Sequence, residues 1–386
     1  MGKDFLIKTV SESQKLSNRL GLKKEDSILQ TYETLTVQDH HGKFEYQYFD
    51  SNVSTDTSST TTHQWKYSTE VMSDFYLELH YDNSTTINIG DFMAANAIEE
   101  VEVKIGSSLV KYEGQQLVQY LQFFSKSNDY KLDLRDISGK KASIVTTAGT
   151  VMIPLVFPGS NGFGDSHPIN CSAYNSDLEI NIKLRPGNKI SKTNAIVFDK
   201  RPRLRYKMWS FSDKDLKQLD KNYFIDLSDF HPYPVSVGSA TTTNSIRMDQ
   251  GLSNKQYIGT SILFVSAANE NTEFEYVKGN SANELSIDIN NKEIYEHHTE
   301  QEAKFKNLMT FGTNNLLSGS YFYNIPYVTG FKENDYVNNL CEDGIKLWNN
   351  IPQLKFKVTD TTYNVYVLHL AQAMLYSDSG KARVLY

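Results

Sequence analysis

The most informative stretch of the chain reads Val101-Glu-Val-Lys-Ile105, Gly106-Ser107, Ser108-Leu-Val-Lys111 and, two residues later, an amphipathic run from Gly114 to Phe124. It predicts two strands, the two-residue turn of a hairpin, and a helix. The same order recurs as Leu285-Ser-Ile-Asp-Ile289, Asn290-Asn291, Lys292-Glu-Ile-Tyr295 and a run from Thr299 to Met309. The offset is about 184 residues, close to half of the 386-residue chain. A β-rich unit built twice favours a tandem structural module over a one-site enzyme.

Further strands extend the repeat. In Leu178–Leu184, four aliphatic residues alternate with polar ones, which predicts a strand with one buried and one wet face. Shifting Phe75–His80 by about 184 residues lands near Ile262, and shifting Leu178–Leu184 by about 185 lands on Tyr363–His369. Turns and polar loops separate most strands, and long crossover helices are absent. The sequence therefore predicts an all-β chain of two antiparallel sandwiches with short accessory helices.

Composition narrows the function classes. The chain has 39 basic and 46 acidic residues, a net charge of −7, and lacks the overall basic stripe of a nucleic-acid groove. The basic run Lys200–Lys207 alternates with apolar residues and is interpreted first as a strand with a solvated face, with a phosphate or partner contact as the alternative. Cys171 and Cys341 fall in different halves without a Cys-x-x-Cys pair, which excludes a disulfide framework and a zinc finger and fits a reducing compartment.

Three regions are expected along the chain: a polar N-terminal extension (1–30), a first sandwich (31–190) and a second sandwich (191–386). Gly187–Asn194 is predicted to link the two sandwiches, because Pro186-Gly187 ends a strand. The opening residues are not followed by an apolar core, so no secretory signal is expected. No apolar run of about 18 residues predicts a membrane-spanning helix.

Both predicted helices have an apolar face. Their apolar positions are Leu117, Tyr120, Leu121 and Phe124 in the first, and Phe305, Leu308 and Met309 in the second. Thr299 and Glu302 have the spacing of a capping box. We expect each apolar face to lie over its own sandwich, with a partner-binding helix as the alternative.

Residues that carry chemistry form no catalytic pattern. The glycine-rich Gly159–Gly164 precedes a proline and a polar loop, whereas a phosphate cradle would open a helix. The pairs His40-His41 and His297-His298 are poor chelates, since neighbouring strand residues point to opposite faces, and the second pair is expected to be solvated. Glu99-Glu100 is interpreted as solvating a strand entrance. We therefore predict no catalytic, cofactor-binding or metal-binding residues, and no enzyme.

Several segments resemble the double jelly-roll major capsid proteins of icosahedral DNA viruses, most closely the large DNA viruses of eukaryotes and their relatives. The similar segments are Ile98–Val110, Gln116–Phe123, Ile153–Phe157, Ser176–Pro186, Tyr363–His369 and Met374–Ser377. They cover about a quarter of the chain, in the family's order and spacing. The chain departs from the family in Gly159–Pro168, which lacks an Asn-Pro-Gly-Leu-Ala run, and in Ala371–Leu375, which lacks the glycine-rich tail.

The resemblance implies a structural capsid protein with two jelly rolls per chain. Three chains would form a pseudo-hexameric capsomer that tiles an icosahedral shell, commonly around an internal membrane that the N-terminal segment would face. The implied partners are other copies of the chain, neighbouring capsomers, and minor, penton or cement proteins, with no cofactor and no direct nucleic-acid site. The implied location is the virion, after synthesis in the host cytoplasm. The polar loops implied to form trimer tops or contacts are Ser51–Thr62, Lys126–Lys141, Ser239–Lys255 and Thr310–Asp343.

Two other classes stay open at this point. A carbohydrate-binding or adhesive sandwich would use the aromatic run Tyr321-Phe322-Tyr323 as a binding platform. A glycosidase-like β-enzyme would need two facing carboxylates at a defined separation, and such enzymes carry little local signature.

Overall fold

The computed structural model describes residues 42–49, 61–67, 71–106, 108–123, 128–140, 142–144, 148–156, 169–171, 174, 176–191, 193–209, 223–227, 231–235, 243–249, 252, 255–266, 284–311, 316–317, 320–327, 345–357, 363–378 and 381–385. The predicted N-terminal extension, residues 1–30, lies outside these ranges.

Strands dominate both halves of the described chain. Those of the N-terminal half are β1 (Gly42–Tyr48), β2 (Thr61–Tyr67), β3 (Val71–Asp82), β4 (Ile87–Ile89), β5 (Ile98–Ile105), β6 (Ser108–Tyr112), β7 (Ala142–Ile144), β8 (Ala148–Pro154), β9 (Ile169–Asn170), β10 (Leu178–Leu184) and β11 (Arg203–Trp209). Those of the C-terminal half are β12 (Tyr223–Leu227), β13 (His231–Val235), β14 (Asn244–Arg247), β15 (Gln256–Ser266), β16 (Glu284–Ile289), β17 (Lys292–His297), β18 (Leu316–Leu317), β19 (Ser320–Pro326), β20 (Pro352–Lys357), β21 (Tyr363–Asp378) and β22 (Lys381–Leu385).

The helices of the described residues are short. They are α1 (Met93–Asn96), α2 (Gly114–Phe123), α3 (Asn128–Ser138) and α4 (Glu300–Phe311), with 3-10 turns at Gly187–Lys189 and Leu347–Asn349. None of these four described helices has the length and apolar character that crossing a bilayer requires.

The strands form two sandwiches with matching topology, each built on eight corresponding strands. In the first, these strands run β1-β11-β3-β8 and β2-β10-β5-β6, and β9 adds to the first sheet on β3. In the second, they run β13-β21-β15-β19 and β14-β20-β16-β17, and β12, β18 and β22 extend the first of these sheets to seven strands. Neighbouring strands pair antiparallel throughout. Two four-stranded sheets per unit are the layout of a jelly roll. The prediction of an all-β chain of two tandem antiparallel jelly rolls with short helices is confirmed.

The repeated hairpin has the geometry that its sequence predicts. Asn290 and Asn291 join β16 to β17 with φ values of 52° and 60°, and Gly106 follows β5 with φ 61°. Positive φ at both central residues is the signature of a type I′ turn, which matches the right-handed twist of the strands. Asn and Gly tolerate that region better than other residues, so the hairpin is encoded locally.

Alternation along β10 buries one side of the strand. Leu178, Ile180, Ile182 and Leu184 are fully buried, while the polar residues between them are half-buried. Each buried aliphatic side chain contributes about 1.5–3 kcal/mol to stability. Because β10 lies between β2 and β5, its register fixes one sheet of the first roll against the core.

The expected boundary between residues 190 and 191 is too early. Strand β11 pairs with β1 and β3, so it belongs to the first roll. The segment predicted as a linker, Gly187–Asn194, packs on the first roll. Its Gly187 carbonyl accepts from the Ile196 amide at 3.0 Å, and Ile190 is buried in the first core, as are Ile196 and Phe198 just after the segment. Polar turn residues suggested a linker, whereas the long-range pairing of β11 decides its membership.

The predicted correspondence between the two halves is half right. Strand β3 corresponds to β15, which includes Ile262, as expected. Strand β10 does not correspond to β21, which begins at Tyr363. Its partner in the second roll is β20, because both lie at the same place in their sheets; β21 corresponds to β11. Both candidates alternate in sequence, so alternation alone could not separate them.

Segments predicted as polar loops contain regular structure. Most of Lys126–Lys141 is helix α3, in which Lys131, Leu134 and Ser138 are buried on one side. The spacing of three and four residues is helical, but polar side chains within it hid the pattern. Strand β14 lies within Ser239–Lys255, and β18 and β19 lie within Thr310–Asp343. The loop Ser51–Thr62 lies outside the described residues except for its last two, which begin β2.

Candidate assembly surface

Helix α2 is buried on all sides. Every one of its ten residues is buried, although a helix on a protein surface normally buries one stripe. Its N-terminus approaches α1 so closely that a Cβ at Gly114 would lie 1.9 Å from the Ala95 carbonyl oxygen, a position that only glycine allows. Burial all round means that the helix has a second partner besides its own roll.

That second partner is the second jelly roll. The Gln119 side-chain amide donates from Nε2 to the Ser261 carbonyl at 3.2 Å and to the Tyr366 carbonyl at 3.3 Å. The Phe123 ring packs against Gly259 so closely that a Cβ added to Gly259 would lie 2.6 Å from Phe123 Cζ. Helix α2 therefore docks the first roll onto β15 and β21 of the second.

The sheet that receives α2 is apolar on both faces. On β15 and β21, alternate residues face the core of the second roll: Ile262, Phe264, Val365 and Val367. Residues on the opposite face join the core cluster of the first roll: Ile258, Leu263, Val265, Tyr366, Leu368 and Leu370. The two rolls are thus held together within the chain by an interface that is largely apolar and contains the Gln119 hydrogen bonds.

Helix α4 occupies the equivalent place on the second roll. The Leu117 amide donates to the Glu113 carbonyl at 3.0 Å, and the Ala303 amide donates to the Thr299 carbonyl at 3.1 Å, so both helices begin with the same bond. Aligning these bonds sets an offset of about 186 residues. Ala303, like Leu117, is buried against its own roll.

The predicted pair Thr299 and Glu302 caps the N-terminus of α4, although the Glu302 side chain bonds the amide one residue before the N-cap. The Glu302 amide donates to Thr299 Oγ1 at 3.2 Å, and Glu302 Oε2 accepts from the His298 amide at 2.9 Å. The hydrogen bond from Lys306, followed by that from the His298 amide, lowers the pKa of the Glu302 carboxyl to about 2. In α2, the neutral side chain of Gln116 caps the helix instead: its Oε1 accepts from the Glu113 amide at 3.0 Å.

The outer side of α4 is uncovered. Phe305, Leu308 and Met309 are 61%, 49% and 54% exposed and share one helix face at i, i+3 and i+4; we name them the α4 patch. The expectation that these side chains lie over their own sandwich is wrong, because periodicity marks an apolar face without showing what covers it. At the aligned positions of α2, Gln119 and Phe123 contact the other roll. Contiguous exposed apolar groups mark interaction sites, whereas single ones are ordinary.

A second exposed surface lies on the outer face of the sheet β1-β11-β3-β8. We name it the outer face of the first roll and define it by Tyr46, Tyr48, Glu78, Arg203 and Arg205. Tyr46 and Tyr48 are 54% and 43% exposed, with ring centroids 5.7 Å apart in an edge-to-face arrangement. The Arg203 guanidinium lies 4.6 Å from the Tyr48 ring centroid and 5.5 Å from that of Tyr46.

Glu78 fixes the arginines of this face. Its carboxylate is buried and forms ion pairs with Arg203, at 3.1 Å, and with Arg205 and His80. Burial alone would raise the pKa of Glu78, but the hydrogen bonds from Arg205 and His80 and the charge of Arg203 hold it below its usual range. The basic run of the sequence is therefore a strand, as first interpreted, whose arginines are held in place by an acid on β3.

Residues weighed as chemical groups have structural partners. His297 is buried and stacks on Tyr323 at 5.3 Å, so the expectation that it is solvated is wrong, while His298 is exposed beside Glu296. Glu99 pairs with Lys183 at 2.7 Å and Glu100 with Lys111 at 2.5 Å. Among the described residues, no three His, Cys, Asp or Glu side chains are grouped to hold a metal ion. His40-His41 and Gly159–Gly164 lie outside them.

The proposed aromatic platform is not supported where it is described. Tyr323 is 3% exposed and packs inside the second core, with its ring edge-to-face with Phe264 at 5.8 Å. The side chains of Tyr321 and Phe322 lie outside the described set. Among the described residues, Tyr46 and Tyr48 form an exposed aromatic pair that sequence reasoning missed. Their period-two spacing in Phe44-Glu-Tyr-Gln-Tyr48 was the available signal.

No protein-family model and no curated protein matches the sequence. Solved structures match nearly all of it. VP54 of PBCV-1, fitted into a reconstruction of the virophage Sputnik, aligns with a TM-score of 0.68 and 13% identity over 90% of this chain and 98% of its own. The Faustovirus major capsid protein aligns with a TM-score of 0.57 and 7% identity, over 98% of this chain and 99% of its own. The mavirus major capsid protein aligns with a TM-score of 0.54 and 10% identity, over 89% of this chain and 90% of its own. The chain therefore has the double jelly-roll fold of these viral major capsid proteins.

Proposed function

We propose that this chain is the major capsid protein of an icosahedral DNA virus and that it assembles as a homotrimer. The fold it shares with capsid proteins supports the structural class. The observation that supports the trimer is the exposure of the α4 patch. This apolar helix face lies on the second roll at the position where α2, on the first roll, is buried between the two rolls. Three chains with two rolls each would supply six similar units around one axis.

The proposed contact is heterologous. Within the chain, a helix of the first roll docks on the second; between chains, the helix of the second roll would dock on the first roll of the next copy. Head-to-tail contacts of this kind close into a ring when the rotation between copies allows it. Burying the α4 patch in that contact would remove its exposed apolar surface from water.

The role is proposed to be structural and not enzymatic. Its support is the likeness to capsid proteins and the ion pairing of carboxylates such as Glu99 and Glu100 with lysines on neighbouring strands. The proposed location is the virion, after synthesis in the host cytoplasm. Further partners proposed from the resemblance are neighbouring capsomers, minor, penton or cement proteins, and an internal membrane facing residues 1–30.

Negative-stain microscopy of the purified full-length protein tests the proposal. We expect hexagonal blocks with a threefold axis, or shells built from them. Single chains, seen as separate two-lobed particles, would overturn the proposed trimer. The capsid role would then lack its main support.

A further inference from the structure

Corresponding sheets of the two rolls differ in what covers their outer faces. In the second roll, the outer face of β15 and β21 is covered by α2 and its neighbours. In the first roll, the corresponding strands are β3 and β11. Their outer face, together with the adjoining β1, leaves the rings of Tyr46 and Tyr48 about half exposed.

We propose that the outer face of the first roll receives the α4 patch of a second copy of this chain. The inference rests on the proposed function, and it names the partner surface of that same contact. The inference comes from a comparison within the chain. Helix α2 is buried against the outer face of β15 and β21 of the second roll, whereas the α4 patch at the equivalent place on the second roll is exposed.

The chemistry of the two surfaces is complementary. The α4 patch offers Phe305 and Met309, and the receiving face offers two tyrosine rings and an arginine stacked on them. Aromatic residues, methionine and arginine are enriched at protein interfaces, and a methionine sulfur packs favourably against a ring. The Glu78–Arg203 ion pair at 3.1 Å holds Arg203 over the rings, so less side-chain freedom is lost on docking.

Charge supports the same pairing. The receiving face carries Arg203, Arg205 and Lys207 of β11, and the Glu78 carboxylate of β3 pairs with the two arginines. On the donor side, β17 precedes α4 as β6 precedes α2, and β6 touches β12 and β22 of the second roll. Glu293 and Glu296 lie on β17, directly before α4, so the donor side carries carboxylates close to the α4 patch. Opposite charges on the two surfaces would favour correct over reversed docking.

Cross-linking tests the contact. Cys341 is replaced by Ser, buried Cys171 is kept, and Met309→Cys is combined with Tyr46→Cys or with Tyr48→Cys. A short bismaleimide should join copies into covalent dimers and trimers. The matched control combines Met309→Cys with Lys66→Cys, an exposed site on β2 in the other sheet of the first roll, and should give only background.

The outcomes separate this inference from the proposed function. A native trimer without cross-links above the control would overturn the receiving face alone. A monomer would overturn both. As a second measurement, Tyr46→Ala with Tyr48→Ala should weaken trimer association about tenfold or more, since central aromatic residues dominate interface energies. An unchanged association constant in that variant would contradict the proposal, whatever the cross-linking yields.

Discussion

Helices α2 and α4 each follow a matching hairpin and begin with the same backbone hydrogen bond, but they differ in what lies outside them. The outer side of α2 packs on the second roll through Gln119 and Phe123, whereas the aligned Phe305 and Met309 of α4 face solvent. Since the two helices share a local design, we propose that the contact inside the chain is a template for a contact between chains. The proposed assembly would cover the exposed side of α4 as the second roll covers α2.

The largest expected effect is the loss of stability when the contact between α2 and the second roll is weakened. Phe123→Ala should lower the free energy of unfolding by about 3–5 kcal/mol, because it opens a cavity between the rolls. Phe305→Ala at an exposed position of α4 is the matched control and should change it by less than about 0.5 kcal/mol. Denaturant unfolding of both variants measures this, and equal losses would contradict the proposed difference between the helices.

The next effect concerns the outer contact. Phe305→Ser combined with Met309→Ser should raise the dissociation constant of the trimer at least about tenfold, which is about 1.4 kcal/mol. The unfolding midpoint of the isolated chain should stay unchanged. Sedimentation across a concentration series measures association, and tight trimers in this variant would show that the α4 patch is not the contact.

A smaller effect sharpens the role of the polar bonds between the rolls. Gln119→Ala removes two hydrogen bonds to carbonyls of the second roll and should cost about 1 kcal/mol of stability. Gln301→Ala, at an exposed position of α4, serves as its control and should have no measurable effect. Thermal unfolding compares the stability of the two variants. An unchanged stability of Gln119→Ala would mean that apolar packing alone joins the rolls.

The smallest effect separates the two caps by pH. The folded-state pKa of Glu302 is lowered to about 2 from 4.5, so its stabilising contribution is fully present above about 4.5 and is lost as the pH falls through 2. The stability difference between the wild type and Glu302→Gln should therefore shrink over that window. Gln116, the neutral cap of α2, does not titrate there, so Gln116→Ala should show a pH-independent difference from the wild type. A constant difference for Glu302→Gln would contradict the charged cap.

Local features could be predicted from the sequence. The strand β10 follows from strict alternation, the turn at Asn290-Asn291 from residues that tolerate positive φ, and the cap of α4 from Thr299 and Glu302. Each depends on residues a few positions apart, where short-range geometry dominates. The tandem all-β fold followed because these features recur in the same order in both halves.

Long-range relations could not be predicted in the same way. Strand β11 joins the first roll through β1 and β3, which lie more than a hundred residues earlier. Helical periodicity identified the apolar face of α4 but not its exposure, and the polar sequence of α3 concealed a buried side. What covers a face depends on tertiary packing, which no local pattern records.

The most direct test of the central claim is native mass spectrometry of the full-length chain. The account predicts a dominant species of three times the 44.0 kDa chain mass, which falls to the mass of one chain when Phe305 and Met309 are both replaced by Ser. A wild-type chain that stays monomeric at micromolar concentration, or a trimer unaffected by that double replacement, would contradict it.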